Sequence, residues 1–352
     1  MGLTNDLLDD IRAQLAPDDA SLTEARTRRG AVLTAAEDFY GALRTFVSGS
    51  LAHGTANCPV HQRDKGLDAD GGVVLDRRTW TSLGPESPSE DGPNTTVEMM
   101  VKVIEPRIQE TYPKATLTIT KRAILVEFHQ PLPSGEDPSV DVVVALTRRD
   151  DNGLWIPNTE THGWDPSHPE KHTELLTADP AQLRRVRARA VRLAKAENKR
   201  NLQPLLCSFN LEAFGLMFVE PGMGPADALL ALWLQGARDL SRRLTADPAE
   251  VSDPIKCEDP SAAVERLESA GGLLNRALEG ERIGDESLVR SALSRLWPDF
   301  VAERPNEMTK ARTIAATRAQ QTVRVGAAGV LTGGAGTALK APRSFGSSQA
   351  RG

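Results

Sequence analysis

Residues 67–75, LDADGGVVL, are the most restrictive stretch of the chain. Val73, Val74 and Leu75 have the β-branched, apolar character of a strand in the middle of a sheet, yet the run opens with two acids. Strand side chains alternate between faces, so Asp68 and Asp70 project to one side. A second β-rich run, VDVVVAL at 140–146, carries one acid, Asp141, near its start. Carboxylates that converge on one spot repel each other unless a cation lies between them. Hard oxygen ligands of this kind suit Mg²⁺, with Mn²⁺ as the alternative. Taken alone, the D-x-D pattern also fits a surface strand holding alternate acids in water.

The rest of the patterning divides the chain. Leu7, Leu8, Ile11 and Leu15 predict a helix over 5–15, capped by Thr4 or Asn5. Ser21 with Glu24 reads as a capping box opening a second helix, whose apolar stripe is Val32, Ala35, Phe39 and Leu43. Residues 116–129 read as two strands around Lys121-Arg122, 84–94 as a polar loop and 97–110 as a helix. From Pro180 onward, 180–200, 208–219, 225–244, 260–279 and 285–297 all show helical spacing. The expected organisation is an N-terminal helix (1–20), a mixed α+β core (21–179), a long helix with a helical domain (180–300), a helical extension (301–324) and a flexible basic tail (325–352).

The 352 residues carry 48 Asp and Glu against 42 Lys and Arg, a net charge of −6. Residues 309–352 hold seven basic side chains and no acid, which leaves −13 on residues 1–308. An acidic body argues against a long phosphate backbone as ligand, because that affinity comes from Lys and Arg. A small anion is the better expectation. Cys58, Cys207 and Cys257 are too few and too far apart for a disulfide framework. The acidic first residues lack the features of a signal peptide and no apolar run reaches the length of a membrane span, so a cytoplasmic protein is expected. Cys58 lies between His53 and His61, but a second ligand pair for zinc is missing, and all three read as ordinary loop residues.

Upstream of the D-x-D run lies Gly49-Ser50-Leu51-Ala52-His53-Gly54-Thr55, after the strand-like Phe46-Val47 and before a short helix. Glycine lets a backbone approach a phosphate closely, and the Ser50 hydroxyl can donate to its oxygens. The plainer alternative is a helix end followed by a turn. A Gly-Ser turn, then D-x-D on a strand, then a lone Asp on a later strand is far more specific than any one of these. In this respect the sequence resembles the polymerase-β-like nucleotidyltransferases, and among them the bacterial cyclic GMP-AMP synthase-like and dinucleotide cyclase-like enzymes, the CD-NTases. WDPSHPEKHTELL (164–176), RAVRLAKAENKR (189–200), LLCSFNLEAF (205–214) and VSDPIKCEDPSAAVERL (251–267) resemble further landmarks, so the likeness spans about residues 20–300.

The resemblance implies an α+β nucleotidyltransferase with a mixed sheet and a long spine helix packed on a helical domain. It places Gly49, Ser50, Lys195 and Ser208 on the donor triphosphate and Phe209 against the donor base. Asp68, Asp70 and Asp141 would hold two Mg²⁺. The alternatives are a solvated lysine on a basic helix face and a core phenylalanine. Residues 58–66, CPVHQRDKG, lengthen the loop between Ser50 and Asp68 relative to compact members; Asp64 and Asp76 read as surface acids. The spine helix sets Arg184, Arg185, Arg187, Arg189 and Arg192 opposite the stripe Leu183, Val186, Ala190 and Leu193, but the acidic body speaks against a nucleic-acid activator.

The implied activity is synthesis of a cyclic di- or trinucleotide from ATP, GTP or other ribonucleoside triphosphates, with release of pyrophosphate. The implied role is antiphage signalling through a separate effector. The competing readings are transfer of a nucleotide to a protein, RNA or antibiotic, and a catalytically silent nucleotide-binding protein. Some members are joined to other proteins through a C-terminal small residue by a conjugating partner. Gly352 would be that residue here, against the plainer reading of a frayed terminus.

Overall fold

The computed structural model describes residues 2–59, 66–87, 92–200 and 204–302, and three two-residue strands beyond them. At its centre β2 (Asp68–Leu75) runs parallel to β5 (Ser139–Thr147), with Asp68 opposite Ser139 and Asp70 opposite Asp141. β1 (Ala42–Ser48) pairs antiparallel with β2, and β4 (Ile124–Glu127) with β5. Including β3 (Thr116–Ile119) the order is β1-β2-β5-β4-β3, while β6 (Leu154–Asn158) and β7 (Gly163–Ser167) extend the far end of β5. Both runs singled out in the sequence are therefore adjacent inner strands of a mixed seven-stranded sheet.

The pleat sorts their residues. Ala69, Val73 and Leu75 face α2 (Asp19–Glu37) and α4 (Pro93–Thr111), joining Val32, Ala36, Met100 and Ile104 in one core. Val74 points the other way, to a small cluster with Phe46, Ala145 and Leu154. Asp68 and Asp70 share the parity of Val74, so they leave the sheet on the side away from α2 and α4. Gly72 follows because the Phe46 ring occupies the space a Cβ would take.

A second core is helical: α6 (Ala181–Lys199), α7 (Ser208–Phe218), α8 (Pro225–Leu240), α9 (Pro260–Ile283) and α10 (Glu286–Leu296) close around Trp233 and Trp297, stacked at 5.9 Å. α1 (Leu3–Gln14) belongs to this core, contributing Leu7, Leu8 and Ile11, with Leu15 just past its end, across nearly the whole sequence. α3 (Gly49–His53) and α5 (Pro169–Thr177) lie beside β1. Among the described residues no helix is long and apolar enough to cross a membrane.

Four local expectations are corrected. Asp18, not Ser21, caps α2: it accepts the Ser21 N–H at 2.8 Å and hydroxyl at 2.7 Å, leaving Glu24 to pair with Arg28 at 2.8 Å. Leu43 is not on the α2 stripe. The helix ends at Glu37, Gly41 turns the chain at φ 81°, and Leu43 sits 49% exposed on β1. Asn5 lies inside α1, and its side-chain oxygen accepts the Ala226 N–H at 3.1 Å, at the start of α8. Arg187 does not join a solvated basic face: it is 4% exposed and donates to Asp179 at 2.7 Å and to the Gly215 carbonyl at 3.1 Å.

Of the expected extension and tail, the structure describes residues 301–302 and the strands β8 (Arg324–Val325), β9 (Leu331–Thr332) and β10 (Thr337–Ala338), paired in the order β10-β8-β9. The rest, Gly352 included, lies outside the described residues, as do His61 and Asp64.

Candidate active site

Between the acidic face of the sheet and the start of the helical core opens a cleft of about 420 Å³. Gly49, Ser50, Asp68, Asp70, Asp141, Lys195, Ser208 and Phe209 all line it. Elements far apart in sequence therefore meet here: the turn into α3, the inner strands β2 and β5, the last turns of α6 and the start of α7. Asn57, just before the long 58–66 segment, and Gly66 at its end line the same cleft.

The carboxylates repel. Burial, then Asp141 and Asp68, push the Asp70 carboxyl up to about 7, with Lys195 pulling the other way. Asp68 accepts a short hydrogen bond from the Ser139 hydroxyl, its opposite number on β5. Among the described residues no group of three or more His, Cys, Asp and Glu forms a ready-made metal cage. The donor set nevertheless fits Mg²⁺, which takes one or two protein carboxylates and completes its octahedron with waters and substrate phosphates. A bound cation would oppose the repulsion from Asp141 and Asp68 that helps to raise the Asp70 carboxyl.

Gly49 has φ 73°, and the Asp70 side chain packs directly against its α-carbon. A Cβ there would stand 2.6 Å from Asp70 Cβ and nearer still to the carboxylate. The glycine thus serves Asp70 as well as any phosphate.

Lys195 and Phe209 both depart from their plainer readings. Lys195 is 5% exposed; its ammonium donates to Glu212 Oε1 at 2.7 Å and to Thr55 Oγ1 at 3.0 Å. Burial works to raise the Glu212 carboxyl, but Lys195 and then His53 hold it below the usual carboxylate range. Phe209 is half-buried on the cleft wall instead of in the core, its ring 4.5 Å from that of His172.

Sequence reasoning did not assign His172, Glu212, Thr55 or Lys199 to the site, and all four line the cleft. The one available signal was Glu212, a lone acid within the apolar run SFNLEAFGLMF. His53 lines the cleft too, and it is bound to Glu212 and Thr173 while the Cys58 thiol donates to the Gln14 carbonyl at 3.3 Å, which accounts for both without zinc.

His172 Nε2 meets Asp247 Oδ1 at 2.6 Å, and Asp247 also accepts the N–H groups of Ala249, Val251 and Ser252 at 2.9–3.1 Å. Burial works against the charge, yet the Ser252 and Ala249 N–H groups and His172 hold the Asp247 carboxyl down to about 2. Because this value lies below the ordinary 3.8, the contribution to stability is full above about pH 4 and is lost as pH falls toward 2. Asp247→Ala should cost about 2 kcal/mol, from orphaned backbone donors, and should free the His172 ring. Thermal unfolding at pH 7 and at pH 3 checks this, with the gap between wild type and variant shrinking at the lower pH.

No family model matches the chain, and no curated protein matches it in sequence. Solved structures match in fold. The CD-NTase CdnG of Bradyrhizobium diazoefficiens, in complex with GTP, aligns at TM-score 0.63 and 13% identity, over 89% of this chain and 98% of that one. CdnC of E. coli MS115-1 with ATP gives 0.60 and 16% over 86% and 98%. The cyclic AMP-GMP synthase DncV of Vibrio cholerae, bound to the linear intermediate 5′ pppA(3′,5′)pG, gives 0.57 and 12% over 87% and 88%. At such identities the likeness speaks for architecture, and the chain has the α+β nucleotidyltransferase fold of the cyclic GMP-AMP synthase-like CD-NTases.

Proposed function

We propose that the protein is a nucleotidyltransferase that joins ribonucleoside triphosphates into a cyclic di- or trinucleotide and releases pyrophosphate. One observation carries the reading: the Gly49-Ser50 turn, the strand-paired Asp70 and Asp141 with Asp68, and the buried Lys195 face a single cleft. The nucleotides held by structures of the same fold support this substrate class.

Each side chain has a task in the transfer. The Ser50 and Ser208 hydroxyls donate to phosphate oxygens, and Lys195 adds an oriented ammonium donor. Phe209 offers its ring to the donor base, braced by His172. Asp68, Asp70 and Asp141 would hold Mg²⁺, which when bound offsets charge on the triphosphate and acidifies the attacking ribose hydroxyl. Asp141 orients that hydroxyl toward the α-phosphorus, and positioning of this kind supplies much of the rate in phosphoryl transfer. A second transfer within the linear product closes the ring. The product would signal through a separate effector protein, in antiphage defence.

Incubation with Mg²⁺ and the four labelled ribonucleoside triphosphates should yield a small phosphatase-resistant product. Label trapped on a protein, RNA or antibiotic would replace this reading with transfer to that acceptor. Tight nucleotide binding without any product would replace it with a silent binding protein.

A further inference from the structure

The cleft contains one buried carboxylate that neither cation binding nor phosphate binding uses. Glu212 is 5% exposed, and both its oxygens are engaged. Oε1 accepts from Lys195 Nζ at 2.7 Å and from the Thr55 hydroxyl at 2.5 Å, while Oε2 lies 3.1 Å from His53 Nδ1. An ionised carboxylate is an acceptor only, so His53 Nδ1 donates to Glu212 Oε2, while its Nε2 lies 3.0 Å from the Thr173 hydroxyl. One side chain of α7 therefore ties together α3, the loop after it, α5 and α6, joining the sheet side of the cleft to the helical side.

The charge consequence is sharper. A lysine with a carboxylate 2.7 Å away acts at phosphate distance as half of a dipole, and its pull on an incoming anion is mostly cancelled. The same cleft carries Asp68, Asp70 and Asp141. We infer that Glu212 is a positioning residue that neutralises Lys195 and fixes its ammonium, so that triphosphate entry depends on the divalent ion and not on the charge of the lysine. Lys195 then contributes a directed hydrogen bond at the phosphates. This rests on the nucleotidyltransferase reading and adds to it a mechanism for metal-gated substrate entry.

The test is ATP binding by the full chain, in EDTA and in Mg²⁺, with steady-state turnover alongside. Glu212→Gln should bind ATP about tenfold more tightly than wild type in EDTA, because the Lys195 charge is uncovered. With Mg²⁺, E212Q should lose about tenfold in kcat with KM for ATP level or lower, because the ammonium is no longer held in place. Glu212→Asp keeps the charge and should bind metal-free ATP as wild type does. Should E212Q not fold, the neutral pair Lys195→Met with Glu212→Gln replaces both ions at once, a change that buried pairs tolerate. It should match wild type in EDTA within about threefold. Wild type binding metal-free ATP far more tightly than this neutral pair, or a folded E212Q binding it no more tightly than wild type, would overturn the inference alone. Wild type failing to bind ATP even with Mg²⁺ would overturn the nucleotidyltransferase reading and this inference with it.

Discussion

Asp70→Asn should abolish nucleotide transfer and at the same time make the metal-free protein harder to unfold. The two effects have one origin. Asp70 is buried beside Asp141 and Asp68, and its carboxyl is pushed up to about 7 from an ordinary 3.8. Between those values the folded state holds a proton that the unfolded state has released, so stability falls as pH rises from about 4 to 7, and above 7 the whole penalty is present. Asparagine keeps the shape and removes the penalty. At pH 8 in EDTA the variant should gain on the order of 2 kcal/mol, a few degrees in Tm for a chain of this size. Mg²⁺ should raise the Tm of wild type and leave the variant nearly unmoved. Activity should fall by about 10³-fold or more, the usual consequence of removing a charge that a catalytic cation needs. An Asp70→Asn protein that kept turnover within about tenfold of wild type, or that melted earlier in EDTA, would mean that Asp70 is no ligand and bears no strain.

The penalty at Asp70 also marks where sequence reading reached its limit. Alternation along LDADGGVVL was enough to put Asp68 and Asp70 on one face, because a strand repeats every two residues. That Asp70 stands opposite Asp141, across a parallel pairing, depends on α4 and the β3–β4 hairpin folding between them, and no local pattern encodes that register. The helices from Pro180 onward were legible for the same reason as the strands, through their spacing. The membership of α1 in their core was not, since Leu7 and Leu8 look alike whichever apolar surface they cover. Caps were misassigned where a better acceptor stood nearby: Asp18 outcompetes Ser21, and Asn5 serves α8 instead of its own helix. Glu212 shows the deepest limit. Its meaning comes from Lys195, Thr55 and His53, which reach it from three other segments, and only the fold brings them within 3.1 Å.

Gly49→Ala should be nearly as damaging as loss of a carboxylate, although it removes no chemical group. With φ at 73° the backbone already disfavours a side chain, by about 1 kcal/mol. The new Cβ would also stand 2.6 Å from Asp70 Cβ, so Asp70 or the turn has to shift. A displacement of about 1 Å at a reacting centre commonly costs on the order of 10²-fold in rate, and a comparable loss of turnover is expected here. Stability should fall by about 2–3 kcal/mol, and in the double variant Asp70→Gly should restore more of it than Asp70→Asn does, because both remove the charge penalty but only the former removes the clashing Cβ. From sequence, Gly49 reads either as close backbone approach to a phosphate or as a plain turn after a helix end, whereas its packing against Asp70 adds a third role. Unfolding in the absence of nucleotide and metal separates the first from the last. Approach to a phosphate contributes nothing when no phosphate is bound, so a Tm loss in Gly49→Ala under those conditions that Asp70→Gly relieves further than Asp70→Asn does comes from crowding between Gly49 and Asp70. An unchanged Tm with weakened ATP binding would return the glycine to the phosphate.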